Sequence, residues 1–313
     1  MRKLILDIPT PSCHASTIVR TPSGYAIAWF GGTAEHNSDV GIYVVYGTAD
    51  GFSEPVRVSR EDGIAHWNPV LWRRLDGTLL LYYKVGAEIA DWVTYVARSA
   101  DDGRTWSEPE PLVPGDTSGG RGPVKNKPLR LSDGTVLAPA SSEQGAWRPF
   151  IDRSEDDGLT FARTEFIETP VVNGKTVGLI QPTLWESIPG HVHALMRSNA
   201  GALYRSDSED AGKTWCAAYA TPLANNNSGV DLTKLADGTL LLACNPTRGN
   251  GAPRTPLVLL RSLNGGASWK PYRVLEDEKG EFSYPAVIDA GEGRAAVTYT
   301  WDRRKIAFCE ISL

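Results

Sequence analysis

An eight-residue pattern, Ser-x-Asp-x-Gly-x-Thr-Trp, recurs along this chain and constrains its fold more than any other feature. Copies begin at residues 99, 154, 208 and 262, which places them 55, 54 and 54 residues apart. The second copy ends in Phe161 instead of Trp, and the fourth has Asn264 in place of the aspartate. Self-similarity at one fixed period of this length indicates a repeat architecture, in which each unit buries its apolar face against its neighbours.

A second series of turns interleaves with this pattern. Each turn separates two β-rich runs, as Asp76-Gly77 does in LWRRLDGTLLLYYK, and Asp-Gly between apolar runs is the strongest short hairpin signal. The six turns are centred on Ser23-Gly24, Asp76-Gly77, Asp133-Gly134, Pro189-Gly190, Asp237-Gly238 and Gly291-Glu292-Gly293. The sequence therefore predicts an all-β fold: one six-bladed β-propeller domain over residues 1–313, with four-stranded blades of about 52 residues.

The sixth predicted blade is incomplete at its C-terminal end. Its hairpin (residues 282–301) is followed by one strand, residues 304–313, where a fourth strand is needed. The N-terminal run Lys3-Leu4-Ile5-Leu6-Asp7 has the length of a spare strand. We predict that residues 3–7 pair with residues 304–312 and close the ring, because closure removes exposed sheet edges.

Composition excludes several classes of function. The formal charge of −5 provides no basic footprint for nucleic acid or an anionic membrane, and no apolar run reaches the ~18 residues of a membrane helix. The four cysteines (Cys13, Cys216, Cys244 and Cys309) lie far apart and are predicted to be buried thiols.

No calcium-loop or phosphate-loop motif occurs, so we expect no metal ion or cofactor. A cytoplasmic location is expected unless a leader was removed, and the oligomeric state stays open.

The ends of strands near the propeller axis define a candidate pocket. In a propeller, the innermost strand of each blade begins near the axis and the second strand returns to it. The first strands begin at His14, Asn68, Lys125 and Lys127, Gln181, Asp231 and Tyr284. The second strands end at residues 31–39, Lys84, Glu143, Arg197, Asn245 and residues 301–304. The concentration of Lys, Arg, Asn and His at these positions predicts an anion-binding cavity.

The octapeptides match the motif known as the Asp box. Together with the six predicted blades, they make the chain resemble the sialidase superfamily. It looks most like the bacterial group of predicted neuraminidases, which share CHAST, WFGG, HWNPVL, YKVG, KNKPL and GEFSYPAV. The resemblance implies that each Asp box is a structural turn between outer strands and that its aspartates are not catalytic. It also implies a pocket where three arginines hold a sugar carboxylate, a glutamate assists a tyrosine nucleophile, and an aspartate is the acid/base.

Several residues of this chain match that pattern. Arg197 looks like the second arginine, Arg254 like the third, and Tyr284 like the nucleophile, while Asp39 or Glu35 lies in the loop of the acid/base. Further substrate contacts are expected at Asn68, Lys84, Lys127, Glu143 and Asp231. Two positions depart from the pattern: His14 stands where the first arginine is expected, and Gln181 stands where the assisting glutamate is expected. A tyrosine is a poor nucleophile without a neighbouring base, and an amide cannot take its proton.

Three functions are compatible with these residues. The first, which we favour, is an exo-acting glycoside hydrolase for a terminal acidic sugar of an oligosaccharide, with Asp39 as general acid and Tyr284 or a water as nucleophile. The second is a lyase for uronate glycosides, in which Arg or Lys neutralises the carboxylate and His14 or Tyr284 removes the α-proton. The third is a carbohydrate-binding propeller without catalysis. The sugar and its linkage are not specified by the sequence.

Overall fold

The computed structural model describes residues 1–313 and confirms the predicted six-bladed propeller. The first blade contains β2 (Ser12–Thr21), β3 (Gly24–Gly32), β4 (Gly41–Thr48), β5 (Gly51–Phe52) and β6 (Val56–Arg57). The second contains β7 (His66–Arg73), β8 (Leu79–Val85), β9 (Val93–Ser99) and β10 (Glu110–Pro111), with a 3-10 turn at Ile89–Asp91. The third contains β11 (Leu129–Arg130), β12 (Val136–Ser142), β13 (Arg148–Ser154) and β14 (Ala162–Arg163).

The second half of the ring continues this pattern, and the sixth blade uses β1 (Arg2–Leu6) as its outer strand. The fourth blade contains β17 (Leu179–Ile188), β18 (His191–Ser198), β19 (Ala202–Ser208) and β20 (Tyr219–Ala224), after a small hairpin of β15 (Val171–Val172) and β16 (Lys175–Thr176). The fifth contains β21 (Asp231–Lys234), β22 (Leu240–Cys244), β23 (Leu257–Ser262) and β24 (Lys270–Glu276). The sixth contains β25 (Phe282–Gly291), β26 (Arg294–Trp301) and β27 (Lys305–Ser312).

The inner strands are buried on both faces because neighbouring blades cover them. Every residue of β8, LLLYYKV, is buried, and apolar clusters join successive blades around the ring. Two details differ from the prediction: β11 is only two residues long, and the β15–β16 hairpin was not foreseen. Cys216 is exposed, so the prediction of four buried thiols is wrong at that position. None of the helical segments has the length and apolar character needed to cross a membrane.

The ring closes through the N-terminal strand, as predicted. β1 pairs antiparallel with β27, with Leu4 opposite Phe308 and Leu6 opposite Ile306. The strand covers Arg2–Leu6 rather than residues 3–7, because Asp7 is already exposed outside the sheet. The pairing therefore removes the unpaired outer edge of β27.

Disrupting this closure is expected to destabilise the propeller. Leu6 is 5% exposed and the preceding Ile5 is 38% exposed, since successive side chains of a strand face opposite ways. Leu6→Ser should lower the free energy of unfolding by about 2–4 kcal/mol, and the matched control Ile5→Ser by about 1 kcal/mol or less. Deleting residues 1–8 should lower the melting temperature sharply. An unchanged melting temperature after the deletion would contradict the closure.

Each octapeptide forms a turn held by its own hydrogen bonds, and the turn also packs against the preceding blade. In the third copy, Asp210 Oδ1 accepts hydrogen bonds from the Lys213 and Thr214 amides, and Asp210 Oδ2 accepts one from the Thr214 hydroxyl at 2.6 Å. Gly212 has φ +75°, and a Cβ placed there would lie 2.6 Å from Leu137 Cδ1 of the preceding blade. The repeated glycine is therefore required both by the left-handed turn and by the close approach between blades.

Acid is expected to weaken these turns. Burial acts to raise the pKa of Asp210, but the hydrogen bonds from Thr214, Ser208 and Lys213 outweigh it and hold the pKa at about 2. A carboxyl whose pKa is lower in the folded chain contributes stability above the unfolded pKa near ~4, and this stability is lost as pH falls towards ~2. Asp210→Asn, which copies Asn264 of the fourth turn, should flatten the fall of unfolding free energy between pH 5 and pH 2.5 in urea titrations. Glu209→Gln, at an exposed neighbour without side-chain hydrogen bonds, should keep the parent slope.

Candidate active site

The first strands share a backbone distortion at their axial ends. In four blades the pairing of the first and second strands is interrupted there, between His14 and Thr17 in the first blade and at matching positions in the second, fourth and sixth. Non-glycine residues with positive φ mark the same point in five blades: Ala15 (55°), Asn68 (39°), Lys125 (63°), Gln181 (55°) and Tyr284 (52°). Such bulges turn side chains out of the strand alternation and cluster at functional sites. The candidate site therefore lies at this end of the axis.

Tyr284, Gln181 and Arg197 meet at this end. The Tyr284 hydroxyl oxygen accepts a hydrogen bond from Arg197 Nη1 at 2.5 Å and a longer one from Gln181 Nε2 at 3.3 Å. Arg197 Nη1 also lies 3.2 Å from Gln181 Oε1, and Arg197 Nε donates to Asn227 Oδ1 at 2.7 Å. The expected proximity of Gln181 and Tyr284 is thus found. No carboxylate contacts the Tyr284 hydroxyl, so its hydrogen-bond partners are one cation and one amide.

His14 packs directly against Tyr284. Their ring centroids are 4.1 Å apart, and His14 Nδ1 lies 2.9 Å from Thr300 Oγ1, which leaves Nε2 without a protein partner. Burial lowers the pKa of His14 well below its usual range, and four nearby cations lower it further: Arg303, Arg254, Arg197 and Lys125. The imidazole is therefore neutral at neutral pH. A neutral imidazole is able to accept a proton, and the lowered pKa makes His14 a weaker base than an exposed histidine.

Two further arginines complete the positive wall of the pocket. Arg254 Nη1 and Arg303 Nε both donate to Glu281 Oε1, at 2.9 and 2.7 Å, and Arg303 Nη1 donates to Glu35 Oε2 at 2.5 Å. Arg197, Arg254 and Arg303 line one open cavity of about 450 Å³, together with Glu281 and a rim of asparagines. Three guanidinium groups face two carboxylates, so the cavity keeps a surplus of positive charge.

Arg303 is the site residue that the sequence reasoning missed. It lies within the range 301–304 assigned to the pocket, but no property of the sequence distinguished it from the neighbouring Arg304. In the structure, Asp302 and Arg303 both have positive φ, and the Arg303 carbonyl accepts a hydrogen bond from the Cys13 amide at 2.8 Å. This turn brings the Arg303 side chain beside His14, where the resemblance led us to expect an arginine of the first blade.

Glu143 lies in the loop after β12, close to Arg197. Burial raises the pKa of its carboxyl, and the positive charge of Arg197 offsets part of that rise. The carboxyl makes no side-chain hydrogen bond, and Trp147 of the same loop lies 5.5 Å from the Arg197 guanidinium. A carboxyl with a raised pKa next to an anion-binding cavity has the properties of a general acid.

The two carboxylates of the 33–40 loop behave differently. Both Asp39 oxygens are held by Thr33, through its amide at 2.9 Å and its hydroxyl at 3.0 Å, and the residue is exposed. Glu35 instead reaches the cavity through Arg303. The structure thus brings Glu35, but not Asp39, into contact with the arginines.

Three other predicted substrate contacts are engaged in holding the blades together. Lys84 is buried, its Nζ donates to Thr94 Oγ1 and to the Arg121 carbonyl, and burial lowers its pKa to about 7. Lys127 Nζ donates to Asp231 Oδ2 at 2.7 Å, and Asp231 is 1% exposed. Our expectation that these side chains face an open pocket is therefore corrected, because buried charges must be paired inside the protein.

Lys125 links separate blades close to Tyr284, with its Nζ 5.8 Å from the Tyr284 ring centroid. Its Nζ donates to Asn126 Oδ1, to the Val230 carbonyl and to the Pro285 carbonyl, at 2.9, 2.9 and 2.5 Å. Burial lowers the pKa of Lys125 to about 7, while its three acceptors match the three N–H donors of the charged form. Asn68, also buried, has no side-chain hydrogen bond to the protein. No group of His, Cys, Asp or Glu side chains is arranged to hold a metal ion.

Comparison with known proteins agrees with this architecture. The family model described as the BNR repeat-like domain matches residues 25–297. A curated protein named "Sialidase" from Bacteroides fragilis (strain YCH46) is 26% identical over 235 residues, which cover 70% of this chain and 41% of that protein. The chain thus spans about two fifths of the length of that relative.

Solved structures show the same fold at low identity. A Hadza microbial sialidase has a TM-score of 0.80 at 19% identity, covering 97% of this chain and 66% of that one. A protein of unknown function from Dyadobacter fermentans DSM 18053 has a TM-score of 0.78 at 16% identity, covering 100% and 98%. The NanB sialidase from Streptococcus pneumoniae has a TM-score of 0.73 at 13% identity, covering 99% and 70%.

Proposed function

The chain belongs to the family of proteins with a BNR repeat-like domain, and from that premise we propose that it is an exo-acting glycoside hydrolase for a terminal acidic sugar. The observation that carries the proposal is the convergence of Arg197, Arg254 and Arg303 from three successive blades on one cavity. Arg197 also donates a hydrogen bond to the Tyr284 hydroxyl. A guanidinium matches a carboxylate in bidentate geometry, and several of them fix its orientation. The curated relative named a sialidase supports the same class of substrate.

The cavity suits a single sugar ring bound by its carboxylate. Its volume of about 450 Å³ lies within the ~300–1,000 Å³ of small-molecule sites, and it is open to solvent on one side. Arg197 has one terminal nitrogen, Nη2, without a protein acceptor, so it is free to bind the carboxylate. The leaving part of the glycoside then extends through the open side, as exo-acting cleavage requires.

Tyr284 and Glu143 are the groups that we assign to bond cleavage. Hydrolysis breaks the bond between the anomeric carbon and the glycosidic oxygen, and water supplies a hydroxyl to the sugar and a proton to the leaving alcohol. Glu143 is the proton donor in this proposal, because its pKa is raised and Asp39 is held by Thr33. With Gln181 beside it, Tyr284 has no carboxylate base, so it stabilises developing positive charge rather than attacking efficiently.

One observation favours a second candidate, a lyase for uronate glycosides. His14 is neutral, its Nε2 has no protein partner, and its ring packs against Tyr284 at a tilt of 47°. In a lyase the arginines neutralise the uronate carboxylate, His14 removes the proton from the carbon next to it, and the departure of the glycosidic oxygen leaves a carbon–carbon double bond. Tyr284 then protonates the leaving oxygen.

Product analysis distinguishes the two reactions. The protein should be incubated with sialosides and with oligosaccharides that end in a uronic acid, and the products followed by mass and by near-ultraviolet absorbance. A hydrolase adds the mass of water to the products, whereas a lyase yields an unsaturated, absorbing uronate of lower mass. Binding of these glycans without any product would contradict both enzymatic proposals and favour the carbohydrate-binding propeller.

Restoring the missing carboxylate should change the chemistry at Tyr284. The parent chain is expected to show little turnover of an aryl sialoside, because Gln181 cannot take the tyrosine proton. Gln181→Glu should raise that turnover about tenfold or more, since a positioned general base contributes ~10²–10⁴-fold. Asn264→Asp, which adds the same charge at an exposed position in the outer turn of the fifth blade, is the matched control. Fast hydrolysis by the parent, with a covalent Tyr284 adduct from a fluorinated sialic acid, would show that the amide is no obstacle.

A further inference from the structure

A second set of reactive side chains lies on the fourth blade, away from the axis. Ser187 Oγ is 2.8 Å from His193 Nε2, and His193 Nδ1 is 2.5 Å from Asp207 Oδ1. Ser187 follows Gln181 by six residues along β17, which places it about 20 Å from the axial end of that strand. The three residues come from β17, β18 and β19 and face the same side of the sheet, because His193 pairs with both Trp185 and Asp207.

The hydrogen bonds decide which nitrogen of His193 carries the proton. Asp207 also accepts from Arg205 Nε at 2.8 Å and from the Tyr219 hydroxyl at 2.6 Å. Burial acts to raise the pKa of Asp207, but hydrogen bonds from His193, Tyr219 and Arg205 hold it well below its usual range. The carboxylate is therefore ionised, and its short contact with Nδ1 favours a proton on that nitrogen. In this tautomer Arg205 Nη2, which lies 2.8 Å from Nδ1, does not donate to it. This leaves the Nε2 lone pair facing the Ser187 hydroxyl.

A charged side chain lies beside Ser187, and a cleft on the same face of the sheet is bordered by Trp185 and Tyr219, which contact His193 and Asp207. Lys234 Nζ donates to the Glu186 carbonyl at 2.7 Å and lies 3.4 Å from the Ser187 carbonyl, so an exposed ammonium stands beside the serine. Arg205 Nη2 lies 2.8 Å from His193 Nδ1, and its charge is balanced by Asp207. On the same face, a cleft of about 530 Å³ opens between the fourth and fifth blades. Its apolar and aromatic lining includes Trp185, Tyr219, Leu223 and Trp269.

We propose that Ser187, His193 and Asp207 form a second hydrolytic site, which cleaves carboxylic esters whose apolar or aryl group occupies this cleft. Nucleophile, base and orienting carboxylate are connected as nucleophilic catalysis requires. Ser187 Oγ attacks the ester carbonyl while its proton passes to His193 Nε2, and Lys234 stabilises the oxyanion. The C–O bond breaks, the alcohol leaves with the proton from His193, and water then hydrolyses the acyl-serine to the free acid.

The test uses the intact chain with p-nitrophenyl acetate and butyrate as substrates and an alkyl fluorophosphonate as covalent probe. The proposal expects a phosphonate adduct at Ser187, mapped by mass spectrometry on the parent protein. It also expects the rate of ester cleavage to fall about 10²-fold or more in Ser187→Ala and in His193→Gln.

Two variants serve as controls. Ser132→Ala removes an exposed serine of the third blade that bonds to Glu186 and has no histidine partner, and it should keep the parent rate. His191→Gln changes the other histidine of β18, whose ring makes no hydrogen bond, and it should also leave ester cleavage unchanged. A probe that labels another residue or none, or a Ser187→Ala variant with the parent rate, would overturn the proposal. Adduct mapping on the parent avoids any dependence on the folding of the variants.

Discussion

Glycan turnover is expected to fall by about 10²–10⁴-fold when Tyr284 is changed to phenylalanine, because the change removes the only hydroxyl within hydrogen-bond reach of both Arg197 and Gln181. The ring remains, so its packing against His14 is kept. Substrate affinity should change less than kcat, since the carboxylate-binding arginines stay in place. The measurement is kcat and KM on the best glycan found in the product screen.

The loss must be separated from a loss of folding. Removing the hydroxyl leaves a buried Arg197 N–H with one acceptor fewer, which costs about 1–3 kcal/mol of stability. Tyr299→Phe is the matched control, because Tyr299 is a buried tyrosine of the same blade whose hydroxyl binds Glu276 on the outer side. It should lose a similar amount of stability and retain activity. Full activity in Tyr284→Phe would exclude the tyrosine from both the hydrolase and the lyase schemes.

The propeller was predictable because its determinants are local and repeated. The turn at Asp210 is specified within eight residues, and the glycine at position 212 is required wherever that turn meets the preceding blade. Closure by β1 was predictable for a similar reason, since a five-residue run with three consecutive apolar residues had only one unpaired edge to join. The short β11 and the exposed Cys216 were not predictable, since they depend on how neighbouring segments cover them.

The sequence predicted where the candidate site lies, but not which side chains point into it. Strand ends indicated which residues approach the axis, but side-chain direction depends on the bulges there, which the sequence pattern did not reveal. Lys127 and Asp231 were expected to bind substrate, yet they bind each other, because two opposite charges brought into the same buried layer pair more favourably than either remains alone. Arg303 was missed because its direction follows from two consecutive residues with positive φ.

Among the arginines, Arg197 is expected to contribute most to binding of an acidic substrate. It is 8% exposed, its Nε and Nη1 are held by neutral groups on Asn227, Gln181 and Tyr284, and no carboxylate of the protein is hydrogen-bonded to it. Arg254 and Arg303 share Glu281, so removing one of them leaves that carboxylate paired with the other. The three arginines should therefore not contribute equally.

Arg197→Ala is expected to weaken the interaction with an acidic substrate by about 2–5 kcal/mol, which is roughly 30- to 5,000-fold in kcat/KM because ~1.36 kcal/mol corresponds to tenfold. Arg197→Lys should recover only part of this, since an ammonium lacks the planar fork that reaches three acceptors and a carboxylate together. Arg254→Ala and Arg303→Ala should each cost less. The double variant Arg254→Ala with Arg303→Ala should lose more binding free energy than the sum of the two single variants, because it leaves Glu281 unpaired beside the substrate carboxylate.

Arg261→Ala, at an exposed arginine stacked on Tyr272, is the control and should behave as the parent. A neutral analogue of the substrate should bind weakly to every variant. Equal kcat/KM for the parent and Arg197→Ala on the acidic substrate would mean that its carboxylate is bound elsewhere.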